Sequence, residues 1–280
     1  MYQMLEPTMN GLPSFIGDWL VSEYLYTPAG EYVGVIYQRR RLQPQGDVIR
    51  VVQICEPVQI AAGVSPQAQE VVSIMNRRVG EFVFDLRLAG RSRHYLGQDV
   101  IGGGFLWCEG VLTARGMWPR FGCNFTSFSI LLNPRRQVTG GKFFLANQQI
   151  ATLLGVAGPV SEGFPVIEPI SSPQCFRGCC QVISPAGELL ENFSVTHEDI
   201  DSIRSRMRGN VKRYGALTEW EAVADSGQIV SAIEISDQVS GQIAGLWKIV
   251  QDEKLYQVWV YMLTDHRFVD GENRSRVGCE

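Results

Sequence analysis

The sequence predicts an all-β protein of antiparallel strands with one or two short helices. Three observations carry that prediction: most of the chain alternates apolar and polar residues at period two, β-branched and aromatic residues crowd those stretches, and Gly, Pro and Asp/Asn punctuate them as turns. The clearest strand is 81–88, where Phe82, Phe84, Leu86 and Leu88 share one face, while Glu81, Asp85 and Arg87 share the other with Val83. Further strands are predicted at 18–26, 31–42, 47–55, 91–96, 104–113, 125–132 and 137–144. Pro134 presets φ for the turn Asn133-Pro134-Arg135-Arg136 between the last two. Residues 147–154 predict a short helix.

Four prolines, Pro159, Pro165, Pro169 and Pro173, forbid regular structure over 159–174 and predict a linker there. The chain therefore divides into a first domain at 1–158 and a second β-rich half at 175–280. Strands are predicted in the second half at 176–183, 188–195, 211–224, 228–236, 242–250 and 255–263, with Asp225-Ser226-Gly227 as a turn. A helix interrupts them, capped by Thr196 with Asp199 three residues on, striped by Ile200, Ile203 and Met207, and stopped by Gly209. Pro28-Ala29-Gly30-Glu31 recurs as Pro185-Ala186-Gly187-Glu188, each after a hydroxyl residue, Thr27 or Ser184. That repeat fits either a duplicated strand-rich unit or one favoured hairpin turn used twice.

With 45% hydrophobic and 19% charged residues and a mean hydropathy of −0.02, the chain of 280 residues excludes disorder and collagen. A net charge of −4 offers no general basic field for wrapping nucleic acid. Seven cysteines, an odd number with Cys179 and Cys180 adjacent, do not make a secreted disulfide framework, so free thiols and a cytoplasmic location are expected. Glu6, Asp18 and Glu23 break the start of the chain, which leaves no signal-peptide pattern. No apolar run reaches the ~20 residues that span a bilayer, so no membrane partner is expected. The sequons at Asn124 and Asn192 are read as chance matches.

Between Arg87 and Lys142 eight basic residues face two acidic ones, Asp99 and Glu109, interleaved with glycines and aromatic rings. Cations beside stacking faces predict a pocket for an anionic, largely apolar or aromatic small molecule. The ligand-binding candidates are Trp107, Arg115, Trp118, Arg120, Phe121, Arg136 and Lys142. The bland alternative is that these cations sit on solvent faces and pair with acids elsewhere.

Only His94, His197 and His266 are available as histidines, and the Cys175, Cys179, Cys180 spacing lacks a second pair, so no metal site is expected. Walker, zincin, nucleophile-elbow and dinucleotide patterns are missing, and no cofactor is expected. What remains is proton transfer by His94, with Asp99 and Tyr95 as the acid candidates. Glu23 is a separate puzzle: it shares its strand face with Trp19, Val21 and Leu25, and a carboxylate aimed into a core must find a partner.

Gly17-Asp18-Trp19, at the head of the first strand, resembles the Gly-x-Trp start of lipocalin-like (calycin) β-barrels. The resemblance rests on that tripeptide and on the strand pattern of roughly residues 15–145. It implies an antiparallel barrel around a small apolar ligand, either as two barrel-like halves or as one enlarged barrel. It also implies a late arginine across the tryptophan, which has no assignable match here. Two functions follow as expectations: a cofactor-independent isomerase, cyclase or lyase, or a non-catalytic carrier or chaperone for an apolar ligand or pigment. The apolar strands near the C-terminus leave a homodimer open.

Overall fold

The computed structural model describes residues 15–171, 175–224 and 226–265. The first eleven strands are β1 (Gly17–Tyr26), β2 (Tyr32–Gln45), β3 (Val48–Cys55), β4 (Gln59–Ile60), β5 (Gly80–Ala89), β6 (Ser92–Leu96), β7 (Ile101–Cys108), β8 (Val111–Trp118), β9 (Cys123–Asn133), β10 (Arg136–Leu145) and β11 (Gln148–Pro159). All but the short β4 form a closed antiparallel barrel of ten strands. Closure runs through β1, in which Trp19 lies opposite Arg40 of β2 on one side and Pro159 of β11 on the other. Period two sends Val21, Phe82, Phe84, Leu86, Leu112, Phe125 and Leu153 inward to a common core. Barrel diameter grows with strand number, so ten strands enclose more room than the ~8 whose side chains just fill a barrel.

The segment between β3 and β5, to which alternation assigns nothing, holds β4 and helix α1 (Pro66–Met75). Ser65 caps the helix, its Oγ accepting from the Ala68 N–H at 3.2 Å, and Pro66 occupies the first helical turn, where a missing N–H costs nothing. Ala68, Val71, Val72, Ile74 and Met75 pack into the same core as the inward strand residues, so α1 stoppers the barrel.

The second sheet comprises β12 (Phe176–Ile183), β13 (Leu189–Thr196), β14 (Met207–Tyr214), β15 (Leu217–Ala224), β16 (Ile229–Asp237), β17 (Gln242–Gln251) and β18 (Lys254–Asp265), in the order 13-12-18-17-16-15-14. Helix α2 (His197–Ser205) starts with the reciprocal Thr196–Asp199 capping box. One face of the sheet packs Leu217, Ile235, Leu246 and Val260 against Phe128, Ile130 and Leu154 on the barrel's outer wall. The other gathers Trp247, Tyr261, Leu263 and Val195 under Ile200 of α2. That double burial explains why β17 and β18 read as apolar on both faces.

Four expectations are corrected. Residues 147–154 are not helical: Asn147 is in a turn, and 148–154 belong to β11, which is buried nearly throughout. Its inner face meets the barrel core and its outer face the second sheet, so its apolar run has no alternation to betray a strand. The single strands expected at 104–113 and 211–224 are each split by a tight turn, at Gly110 (φ 74°) and Gly215 (φ 59°). The helix ends at Ser205, so Met207, expected in its apolar stripe, and Gly209, expected to stop it, both lie in β14. Asp225 and His266 lie outside the described residues. Among the described residues no helix is long and apolar enough to cross a membrane.

Candidate functional site

The inward faces of the barrel strands leave a cavity of about 140 Å³. Its charged lining is Glu23 on β1, Arg40 on β2, Arg78 just after α1 and Arg93 on β6, a net of two positive charges. Glu23 is 6% exposed and Arg78 3%. Arg78 Nη1 donates to Glu23 Oε2 at 2.9 Å, and Gln38 Nε2 donates to the same oxygen at 2.6 Å. Gln38 Oε1 accepts in turn from Gln53 Nε2 at 2.9 Å and Arg40 Nη2 at 3.3 Å. The inward carboxylate thus heads a buried polar chain, which is the arrangement that makes such burial tolerable.

The guanidinium groups are less well satisfied. The Nε atoms of Arg40, Arg78 and Arg93 are all buried without a hydrogen-bond partner. Burial holds the Arg40 pKa below its ordinary value. Burial also works against charge on Arg78, yet the attraction of Glu23 carries that pKa above its ordinary value. Aromatic faces supply partial compensation: Arg78 lies 4.9 Å from the Phe143 centroid and 5.6 Å from that of Trp118, and Arg93 lies 5.4 Å from that of Tyr95. Trp118 packs edge-on to Phe82 at 4.8 Å and to Phe125 at 6.2 Å, building a ring-lined wall. Two glycines make room for it. A Cβ on Gly104 would lie 2.6 Å from Arg93 Nε, and one on Gly116 would lie 2.9 Å from the Phe125 ring.

The residues expected to share one hollow do not all meet. Tyr95 and Trp118 line the cavity. Phe121 is buried behind it, 5.5 Å from the Trp118 ring. His94 alternates outward from Tyr95 and is exposed, and Asp99 lies half-buried between β6 and β7. Neither of these two borders the cavity, so the expected His94–Asp99–Tyr95 group is not assembled around it. Arg115 and Arg120 are exposed, the latter donating to the Glu81 carbonyl at 3.2 Å. Trp107 faces the second sheet and donates to Thr113 Oγ1 at 3.0 Å. Arg136 and Lys142 tie the halves together, on Asp237 (Nη2 to Oδ1, 2.9 Å) and Glu219 (2.8 Å) respectively. The alternative reading thus describes most of the basic segment. Of its eight cations only Arg93 lines the cavity.

Sequence reasoning missed Arg40 and Arg78. Arg40 sits two residues beyond Gln38 on the inward face of β2, a signal that alternation carries. Arg78 follows a helix that period-two reading does not see. Among the described residues no disulfide joins the cysteines, and no cluster of three or more His, Cys, Asp or Glu could hold a metal ion.

No protein-family model and no curated protein matches the chain. Among solved structures it is similar to a DUF3598-family protein of unknown function from Nostoc punctiforme, with a TM-score of 0.52 and 11% identity, over 90% of this chain and 96% of that one. That likeness speaks to the fold alone. Transferrin binding protein B from Neisseria meningitidis aligns with a TM-score of 0.20 and 8% identity, over 89% and 76% of the two chains. A putative outer membrane protein from Bacteroides fragilis aligns with a TM-score of 0.21 and 7% identity, over 89% and 97%. Neither of these last two supports an argument about function.

Proposed function

We propose that the barrel interior binds one small organic acid with a ring or compact apolar body, in the manner of a lipocalin-like carrier. One observation carries the reading: three inward arginines face a single carboxylate, itself already bonded, inside an aromatic wall. A buried charge without a counter-charge costs several kcal/mol, and an entering anion would offset that cost. The guanidinium fork suits carboxylate or phosphate oxygens, while Trp118, Phe125 and Phe143 suit a ring. A volume near the ~150 Å³ of an engineered cavity that takes up benzene favours a single ring over a long lipid or pigment.

Catalysis of the isomerase, cyclase or lyase kind would draw on Glu23 or Tyr95, the protonatable side chains other than arginine that line the cavity among the described residues. Because Glu23 is committed to Arg78 and Gln38, the carrier form is the better supported of the two. A reducing, cytoplasmic setting fits the unbridged cysteines.

The test is calorimetric titration of the full chain with benzoate, phenyl phosphate and, as the uncharged control, benzyl alcohol, beside native mass spectrometry of the gently purified protein. Binding of at least one anion but not the alcohol, lost in Arg93→Met, is the expected result. Equal affinity for benzyl alcohol, or failure of both anions, removes the reading.

A further inference from the structure

A second pocket, of about 220 Å³, lies between the barrel's outer wall and the second sheet. The chain has only four lysines, Lys142, Lys212, Lys248 and Lys254, and two of them line this pocket. Lys142 comes from β10, and its Nζ lies 2.8 Å from Glu219 Oε2, so its charge is fixed and balanced. Lys248 comes from β17. Alternation sends its neighbour Trp247 into the core under α2 and aims Lys248 with Leu246 at the barrel. No carboxylate pairs with it among the described residues, and burial alone lowers its pKa. Phe128 and Leu246 supply apolar walls, Ser127 and Ser231 hydroxyls. An amine desolvated in a pocket with apolar walls is the environment in which a lysine becomes a nucleophile.

We propose that this pocket admits a small aldehyde or ketone and that the Lys248 amine condenses with it to an imine. The Nζ lone pair adds to the carbonyl carbon. The carbonyl oxygen takes up both amine hydrogens and leaves as water, so C=N replaces C=O without oxidation or reduction. The Lys142 ammonium, which lines the same pocket and is paired with Glu219, lends a proton to the departing oxygen and recovers it from the nitrogen. The inference uses a different pocket from the barrel cavity and stands or falls independently of it.

The full chain treated with benzaldehyde and cyanoborohydride near neutral pH, then digested and mapped by mass spectrometry, tests it, with exposed Lys212 and Lys254 as internal standards. Lys248 is expected to be alkylated several-fold faster than either, because burial in the pocket favours its uncharged amine. Lys248→Arg should abolish the fast adduct and leave the standards unchanged. Labelling of Lys248 no faster than the standards overturns the proposal, as does a fast adduct that forms on Lys142 and survives Lys248→Arg.

Discussion

The barrel and the second sheet each bring an arginine at or beside a helix into an apolar interior, and they balance it differently. In the barrel, Arg78 follows α1 and meets Glu23 under the rings of Trp118 and Phe143. In the second half, Arg204 of α2 bonds Glu234 (Nε to Oε1, 3.0 Å) and Asp201, and lies 5.0 Å from the Trp220 centroid. There one guanidinium has two carboxylates, whereas the barrel adds Arg40 and Arg93 and no further acid. A balanced pair is sufficient for structure. An unbalanced one keeps a place for a charge from outside.

The repeated turn marks the same place in both halves. Gly30 N–H donates to the Thr27 carbonyl and Gly187 N–H to the Ser184 carbonyl, each at 2.9 Å, with both glycines at positive φ, 95° and 90°. The hydroxyls of Thr27 and Ser184 accept from the N–H of Glu31 and Glu188, each at 3.1 Å. Both turns join the first two strands of their half, and in both the last strand returns to pair with the first. The halves part at the next step. β2 goes on to pair with β3 and the sheet closes, while β13 is left as an edge next to α2.

Arg204→Met should cost about 3–5 kcal/mol in urea unfolding, because it strands Glu234 in the core. Arg93→Met should do the opposite, from no change to roughly 4 kcal/mol of added stability, because it removes a buried charge that lacks its own acid. A loss of stability in Arg93→Met comparable with that of Arg204→Met would mean that the two arginines are balanced alike.

The seam between the halves gives a pH test. Burial pushes the Tyr26 phenol from 10.0 up to about 12, and its ring meets Tyr214 at 5.6 Å. A folded-state pKa raised in this way contributes stability that is whole below pH 10 and is lost as pH climbs from there through about 12. Tyr26→Phe should therefore move the alkaline unfolding transition upward, and an unchanged midpoint would contradict the burial. The smallest effects belong to the helix caps: Ser65→Ala and Thr196→Ala should each cost about 1 kcal/mol. The two losses should be alike, since each hydroxyl also donates to a carboxylate, Ser65 Oγ to Glu31 Oε2 at 2.6 Å and Thr196 Oγ1 to Asp199 Oδ2 at 2.8 Å.

Much of the site was hidden for a definite reason. The alternation of Phe82, Phe84 and Leu86 is local, and their inward face follows from it directly. So does the need of Glu23 for a partner. The partner itself is 55 residues away, beyond a helix that no period-two pattern announces. Charge counting drew attention to 87–142, but a local excess does not say which side of a strand each cation occupies. Arg115, Arg120, Arg136 and Lys142 point to solvent or to the other half, and the carbonyl or acids that hold Arg120, Arg136 and Lys142 come from distant segments.

The antiparallel strands, most of the turns, the capped start of helix α2 and the inward carboxylate can all be read from residues within a few positions of one another. That ten strands close, that β11 is a strand, and that Arg40, Arg78 and Arg93 converge emerges only from long-range packing. Closure and burial on two faces arise from pairings across the whole chain, and a pocket's charge is summed over residues that meet only when those pairings are made.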